Sequence, residues 1–165
     1  MPTTESPFAV ANYFIEKSAA TGVALTPMKL LKLVYIAHGW SLGLLNRPLI
    51  LEQPQAWKYG PVIESLYQGF RRYGNERIPA DATVPHAALS GDQVVNQLLD
   101  QVWTKYSPLT GGQLSALTHQ VGTPWYTVWH EQGGKDRLGA PIPNMLIEQH
   151  YKEKAAEIRS KRANG

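Results

Sequence analysis

No cysteine occurs among the 165 residues, which excludes disulfide frameworks, thiolate zinc sites, iron–sulfur ligation and cysteine nucleophiles together. No apolar run approaches the roughly 18 residues of a membrane-spanning helix. The opening Met-Pro-Thr-Thr-Glu-Ser-Pro carries neither the basic nor the apolar region of a secretion signal, so a cytoplasmic protein is expected. Catalytic signatures are equally scarce. No Gly-x-Ser-x-Gly elbow is present, and the doublets Gly111-Gly112 and Gly133-Gly134 are not followed by the Lys-Ser/Thr of a phosphate loop. The five histidines, His38, His86, His119, His130 and His150, include no i, i+4 pair and no His-Glu-x-x-His, the spacing that sets two zinc ligands on one helical face. The expectation is a non-enzymatic chain with no catalytic residues, no metal and no cofactor.

The formal net charge is +3, but its position matters more than its size. From Met1 to Tyr151 there are 11 basic and 11 acidic side chains, whereas the last 14 residues hold 5 basic and 2 acidic ones. The excess therefore belongs to a tail containing Lys152, Lys154, Arg159, Lys161 and Arg162, and residues 1–151 and 152–165 are read as a neutral domain and a basic helix end. A duplex binder is expected to present a contiguous basic patch. A balanced body without a helix-turn-helix makes nucleic acid an unfavoured partner, with binding through the tail kept as an alternative.

With 43% hydrophobic residues, the chain has the composition of one ordinary globular domain. Its helix starts are marked by a hydroxyl residue before proline, an N-cap acceptor followed by a φ suited to the first helical position. Ser6-Pro7 predicts a helix to about Ala20, stopping before Gly22 and burying Phe8, Ala11, Phe14 and Ile15. Thr26-Pro27 predicts a second to Leu45. There Leu30, Leu33, Val34, Ala37, Trp40, Ser41 and Leu44 keep i, i+3, i+4, i+7 spacing, with Lys29 and Lys32 toward solvent and His38 at a packing edge. Prolines 48 and 54 break the pattern, giving a loop or small hairpin up to Tyr59. Gly60-Pro61 then opens a helix to about Tyr73, and residues 75–89 form a long connection. Ser90-Gly91-Asp92 can cap a helix carrying Val95, Leu98, Leu99, Val102 and Tyr106, which runs to Ser107-Pro108. Thr110 and Gln113 match a capping box, Thr123-Pro124 starts a short helix through Trp129, residues 132–143 are a glycine-rich connection, and Asn144 to about Ser160 forms the last helix. The fold class is mainly α: a compact single-domain bundle of six to seven helices with a minor β-hairpin or extended element around residues 47–59.

The most specific segment is Ala56-Trp57-Lys58-Tyr59-Gly60-Pro61-Val62. Two aromatics, a lysine between them and a glycine–proline corner suit the docking of an anionic or aromatic group, and plain packing of Trp57 is the competing reading. Five tryptophans exceed what a small core needs. Aromatic and arginine side chains dominate protein interfaces, so Trp57, Lys58 and Tyr59, with Arg71 and Arg72 as rim charges, are the candidate partner-binding residues. A rival reading is a small-ligand or enzyme pocket beside Tyr59, His38 and His119.

Four segments together resemble a known family: Asn12-Tyr13-Phe14; Leu25-Thr26-Pro27-Met28-Lys29-Leu30-Leu31-Lys32-Leu33-Val34-Tyr35; Trp57-Lys58-Tyr59-Gly60-Pro61-Val62; and Thr118-His119 with Pro124-Trp125. They look like the Panacea domain, the SocA-like antitoxin domain also labelled phage-associated GepA, across about residues 6–150. The resemblance implies a mostly helical, non-catalytic antitoxin that binds a cognate protein toxin directly. In the SocA case it also implies an adaptor that delivers the toxin to a ClpXP-type protease. It supplies no map of the contact surface.

Overall fold

The computed structural model describes residues 3–164. Among the described residues there are seven helices and a small three-stranded antiparallel sheet: α1 (Pro7–Thr21), α2 (Pro27–Leu45), β1 (Gln55–Trp57), β2 (Gly60–Val62), α3 (Glu64–Phe70), α4 (Gln93–Tyr106), α5 (Gly111–His119), α6 (Pro124–Tyr126), β3 (Ala140–Pro141) and α7 (Asn144–Asn164). A 3-10 turn at Arg71–Tyr73 extends α3, and a π turn at Thr127–Glu131 extends α6. The sheet order is β2-β1-β3. No described helix is long and apolar enough to cross a membrane.

The caps form where the sequence places them. Ser6 accepts from the Phe8 amide at 3.2 Å, Thr26 from Lys29 at 3.3 Å, and Asp92 from Val94 at 3.0 Å. Thr110 and Gln113 close the reciprocal box at 3.1 and 2.8 Å, and α1 ends at Gly22 in the left-handed region. Phe8 is half-buried, while Ala11, Phe14 and Ile15 enter the core.

Helix α2 is the axis of the molecule, packed by α1, α4, α5 and α7. It is buried on every side from Lys29 to Leu42, with Met28 exposed at its start, which overturns the expectation that Lys29 and Lys32 face solvent: they are 6% and 3% exposed. Each reaches a backbone carbonyl instead, Lys29 Nζ at Ser107 O (2.6 Å) and Lys32 Nζ at Pro61 O (2.8 Å). Leu44, expected inside, is 45% exposed because the helix is leaving the core there. His38 is central rather than at an edge. Its Nδ1 accepts from the Leu49 and Ile50 amides at 3.3 and 3.4 Å, so Nε2 carries the proton donated to Asn144 Oδ1 at 2.9 Å. Burial holds its pKa below the usual histidine range, and the neutral ring joins α2, the 49–50 segment and the start of α7.

Gly60-Pro61 does not open a helix. It is the returning strand of a hairpin in which Trp57 pairs with Gly60 and Gln55 with Val62, and the helix begins at Glu64. The glycine-rich connection contributes β3, pairing Ala140 with Ala56. Residues 75–89 are irregular but tied down, since the Asn12 amide donates to Val84 O and Ala87 O at 2.9 and 2.8 Å and accepts from Val84 N at 2.8 Å. Helix α7 is continuous through residue 152 to Asn164, with Tyr151 and Ala155 buried against the bundle.

Candidate functional site

Three of the four segments that stood out in the sequence meet at the β1–β2 hairpin, while Asn12 of the fourth holds the 84–87 loop instead. Three alternate carbonyls along it are each held by a side chain from a different helix. The Trp125 indole of α6 donates to Trp57 O at 2.6 Å, the Ser115 hydroxyl of α5 to Tyr59 O at 2.7 Å, and the Lys32 ammonium of α2 to Pro61 O at 2.8 Å. Gly60 makes this approach possible. Its φ is +116°, and a Cβ there would meet Lys32 Nζ at 3.0 Å, so the turn and the lysine beneath it both require glycine.

With its carbonyls fixed from below, the two-residue turn turns its side chains outward. Tyr59 is 63% exposed, and Lys58 Nζ lies 5.5 Å from its ring centroid. Trp57 is half-buried, edge-on to Tyr67 at 4.8 Å, with its indole N–H donated to Gln55 Oε1 at 2.8 Å. Exposure and packing thus divide along the motif: Trp57 braces the hairpin, and Lys58 and Tyr59 stand out from it.

Open grooves flank the hairpin. One, of about 470 Å³, runs along Pro27, Met28, Leu31, Val62, Tyr67 and Arg71 to Trp57, Lys58 and Tyr59, with Lys32 among its lining residues. Met28, 41% exposed, gives it an apolar wall. The other, of about 430 Å³, shares Trp57 and Lys58 and is completed by Trp129 and residues 135–139, including the fully exposed Leu138. Of the five predicted partner-binding residues, Trp57, Lys58, Tyr59 and Arg71 share one groove. Arg72 is absent from that lining: its guanidinium donates to Gly69 O and Tyr73 Oη at 3.2 and 2.9 Å and stacks over the Tyr73 ring at 4.7 Å.

Sequence reasoning missed Met28, Leu31 and Lys32 as groove residues. A signal existed, because nineteen residues of α2 contain no Asp or Glu and no polar stripe, and a helix apolar all round is a buried one. Burial lowers the Lys32 pKa from 10.5 to about 7, since a low-dielectric site disfavours the charged amine.

The pocket imagined beside Tyr59, His38 and His119 does not form. His38 is 0% exposed with both ring nitrogens engaged, and His119 Nδ1 sits 3.4 Å from the Ser115 hydroxyl, its ring edge-on to Trp125 at 5.3 Å. His119 thereby backs the clamp rather than a cavity. Among the described residues no three His, Asp or Glu side chains gather as a metal site. The basic end of α7 lies across the molecule, where Arg159 and Arg162 join Lys105, Trp40 and Leu44 around a separate groove of about 240 Å³.

Comparison with known proteins completes the description. The family described as antitoxin SocA-like, Panacea domain, matches residues 30–126, a span that holds α2 from Leu30 onward, the hairpin and all three clamping side chains. Antitoxin SocA of Caulobacter vibrioides (strain NA1000 / CB15N) is 30% identical over 153 residues, covering 87% of this chain and 81% of that protein. No solved structure matches the chain.

Proposed function

The chain belongs to the antitoxin SocA-like, Panacea domain family, and from that premise we propose that it is the antitoxin of a toxin–antitoxin pair. It neutralises a cognate protein toxin by direct binding, without chemistry of its own, and the toxin docks on the hairpin tip and the groove beside it. The observation that carries the docking site is the clamp on the Trp57, Tyr59 and Pro61 carbonyls. It supports a rigid loop with an exposed aromatic, and a side chain already ordered before binding loses little entropy when the partner arrives. Met28, Leu31 and Tyr67 supply apolar floor, and Lys58 and Arg71 supply rim charges that steer an acidic surface. Masking a toxin surface asks for such an arrangement of aromatic anchors within a polar rim.

The test is co-expression with the product of the adjacent gene. Because Tyr59 is exposed, Tyr59→Ala is expected to leave the thermal transition unchanged while weakening toxin binding by about 2 kcal/mol, roughly 30-fold. Growth rescue at limiting expression should fall accordingly. Normal rescue by folded Tyr59→Ala and Lys58→Ala variants would remove the hairpin from the docking surface.

A further inference from the structure

Lys32 is the part of this groove that packing alone does not explain. An ammonium has three donors, and the single hydrogen bond it makes among the described residues goes to Pro61 O. None of the ion pairs among the described residues involves it. Lys29, the other buried lysine of α2, also ends on a carbonyl but lines none of the grooves described above. Lys32 does, and the other charged groups on that groove are Lys58 and Arg71, both cations, with no Asp or Glu in the lining. Burying a charge without a counter-charge is costly and lowers the Lys32 pKa to about 7, and the exposed Lys58 and Arg71 add positive field without supplying a counter-charge. The missing group is an anion delivered from outside, next to something apolar enough to lie on Met28, Leu31 and Tyr67.

Resting on the docking reading above, we propose that the groove recognises an acidic segment of the partner protein. An apolar or aromatic side chain seats on Met28, Leu31 and Tyr67, and a neighbouring carboxylate pairs with the Lys32 ammonium, flanked by Lys58 and Arg71. Charge-assisted bonds of this kind are stronger than neutral ones. A partner carrying an amide in place of the carboxylate leaves Lys32 buried and unpaired, and that difference is what sets specificity at a desolvated site. The carboxylate belongs either to an Asp or Glu side chain or to a chain terminus, the same chemistry from two sources.

The test starts from a random twelve-residue peptide library displayed with free C-termini and selected on the full chain. Selected sequences are then made as the free acid, as the C-terminal amide and with Asn or Gln in place of Asp or Glu, and their affinities are read by fluorescence anisotropy. The expected result is enrichment of an acid next to an aromatic residue, at least about a tenfold loss when that carboxylate is removed, and less than about a threefold further loss on a Lys32→Met variant with a normal thermal transition. Loss on amidation assigns the terminus, and loss on the Asn or Gln change assigns the side chain. Lys32→Gln replaces Lys32→Met if the latter does not fold. Peptides without acid enrichment, or peptides equally sensitive to carboxylate removal on parent and variant, overturn the inference. Should binding depend on Tyr59 but not on Lys32, the docking surface stands and its acidic partner falls. Should the selected peptides be indifferent to Tyr59→Ala, the docking reading itself fails.

Discussion

Replacing Gly39 with alanine is expected to cost about 3 kcal/mol or more, although alanine is the better helix former by about 1 kcal/mol. Gly39 lies in mid-α2 where Tyr151 of α7 crosses it. A Cβ there would sit 2.2 Å from Tyr151 Cε2, 2.6 Å from Cδ2 and 2.7 Å from Cζ, far inside van der Waals contact. The ring has little room to retreat. It is buried, edge-on to Trp40 at 5.0 Å, and the Tyr151 Cβ lies just 2.7 Å from where a Cβ on Gly43 would be. Overpacking at such a contact must move a helix rather than a rotamer. For a domain of this size the loss corresponds to roughly 10 °C in Tm, measurable by calorimetry. In a Tyr151→Ala background the same change should cost less than about 1 kcal/mol, because the ring atoms it strikes are gone. An unchanged Tm for Gly39→Ala would contradict the α2–α7 packing.

The second large effect is a stability that rises with pH above neutrality. Lys32 titrates near 7 when folded and at 10.5 when unfolded, so between those values the unfolded chain binds the extra proton. The contribution is fully present above pH 10.5 and is lost as pH falls through about 7. A shift of this size corresponds to about 5 kcal/mol over the whole window, of which about 2 kcal/mol appears between pH 7 and pH 9. Lys29, Lys105 and Lys154 are also lowered by burial and add in the same direction. Tyr35 and Tyr151, raised by burial, reverse the trend above pH 10. Urea denaturation at pH 7 and pH 9 separates the lysine: the parent gains stability, and Lys32→Met shows about 2 kcal/mol less gain. Equal gains in the two proteins would place the Lys32 amine in water. A lysine that lowers stability at neutral pH fits a residue kept for recognition rather than for folding.

How much of this was legible in the sequence depended on range. The caps at Ser6, Thr26, Asp92, Thr110 and Thr123 involve neighbours two or three positions away, and all were readable. Gly60-Pro61 was misread because a glycine–proline corner suits a helix start and a hairpin return equally. The choice was made by pairing with Gln55–Trp57 and by the lysine beneath. Strand β3 is two residues long and exists through its pairing with β1, so no local pattern announces it. Lys29 and Lys32 were assigned by their charge, when the absence of any polar face on α2 was the stronger signal. At the site, Trp57, Lys58 and Tyr59 declared themselves as a motif, whereas the clamp joins residues 29, 56 and 68 positions apart. Arg71 and Arg72 differ in the direction a single 3-10 turn gives them, which adjacency in sequence conceals.

Amide hydrogen exchange of the chain alone and bound to the adjacent-gene toxin tests the central claim most directly. The account predicts new protection on binding confined to the groove, at residues 28–32, 57–62 and 67–75, with the far end of α7 unchanged. Protection that appears instead around Lys105 and residues 155–162, with the hairpin exchanging as in the free chain, would contradict it.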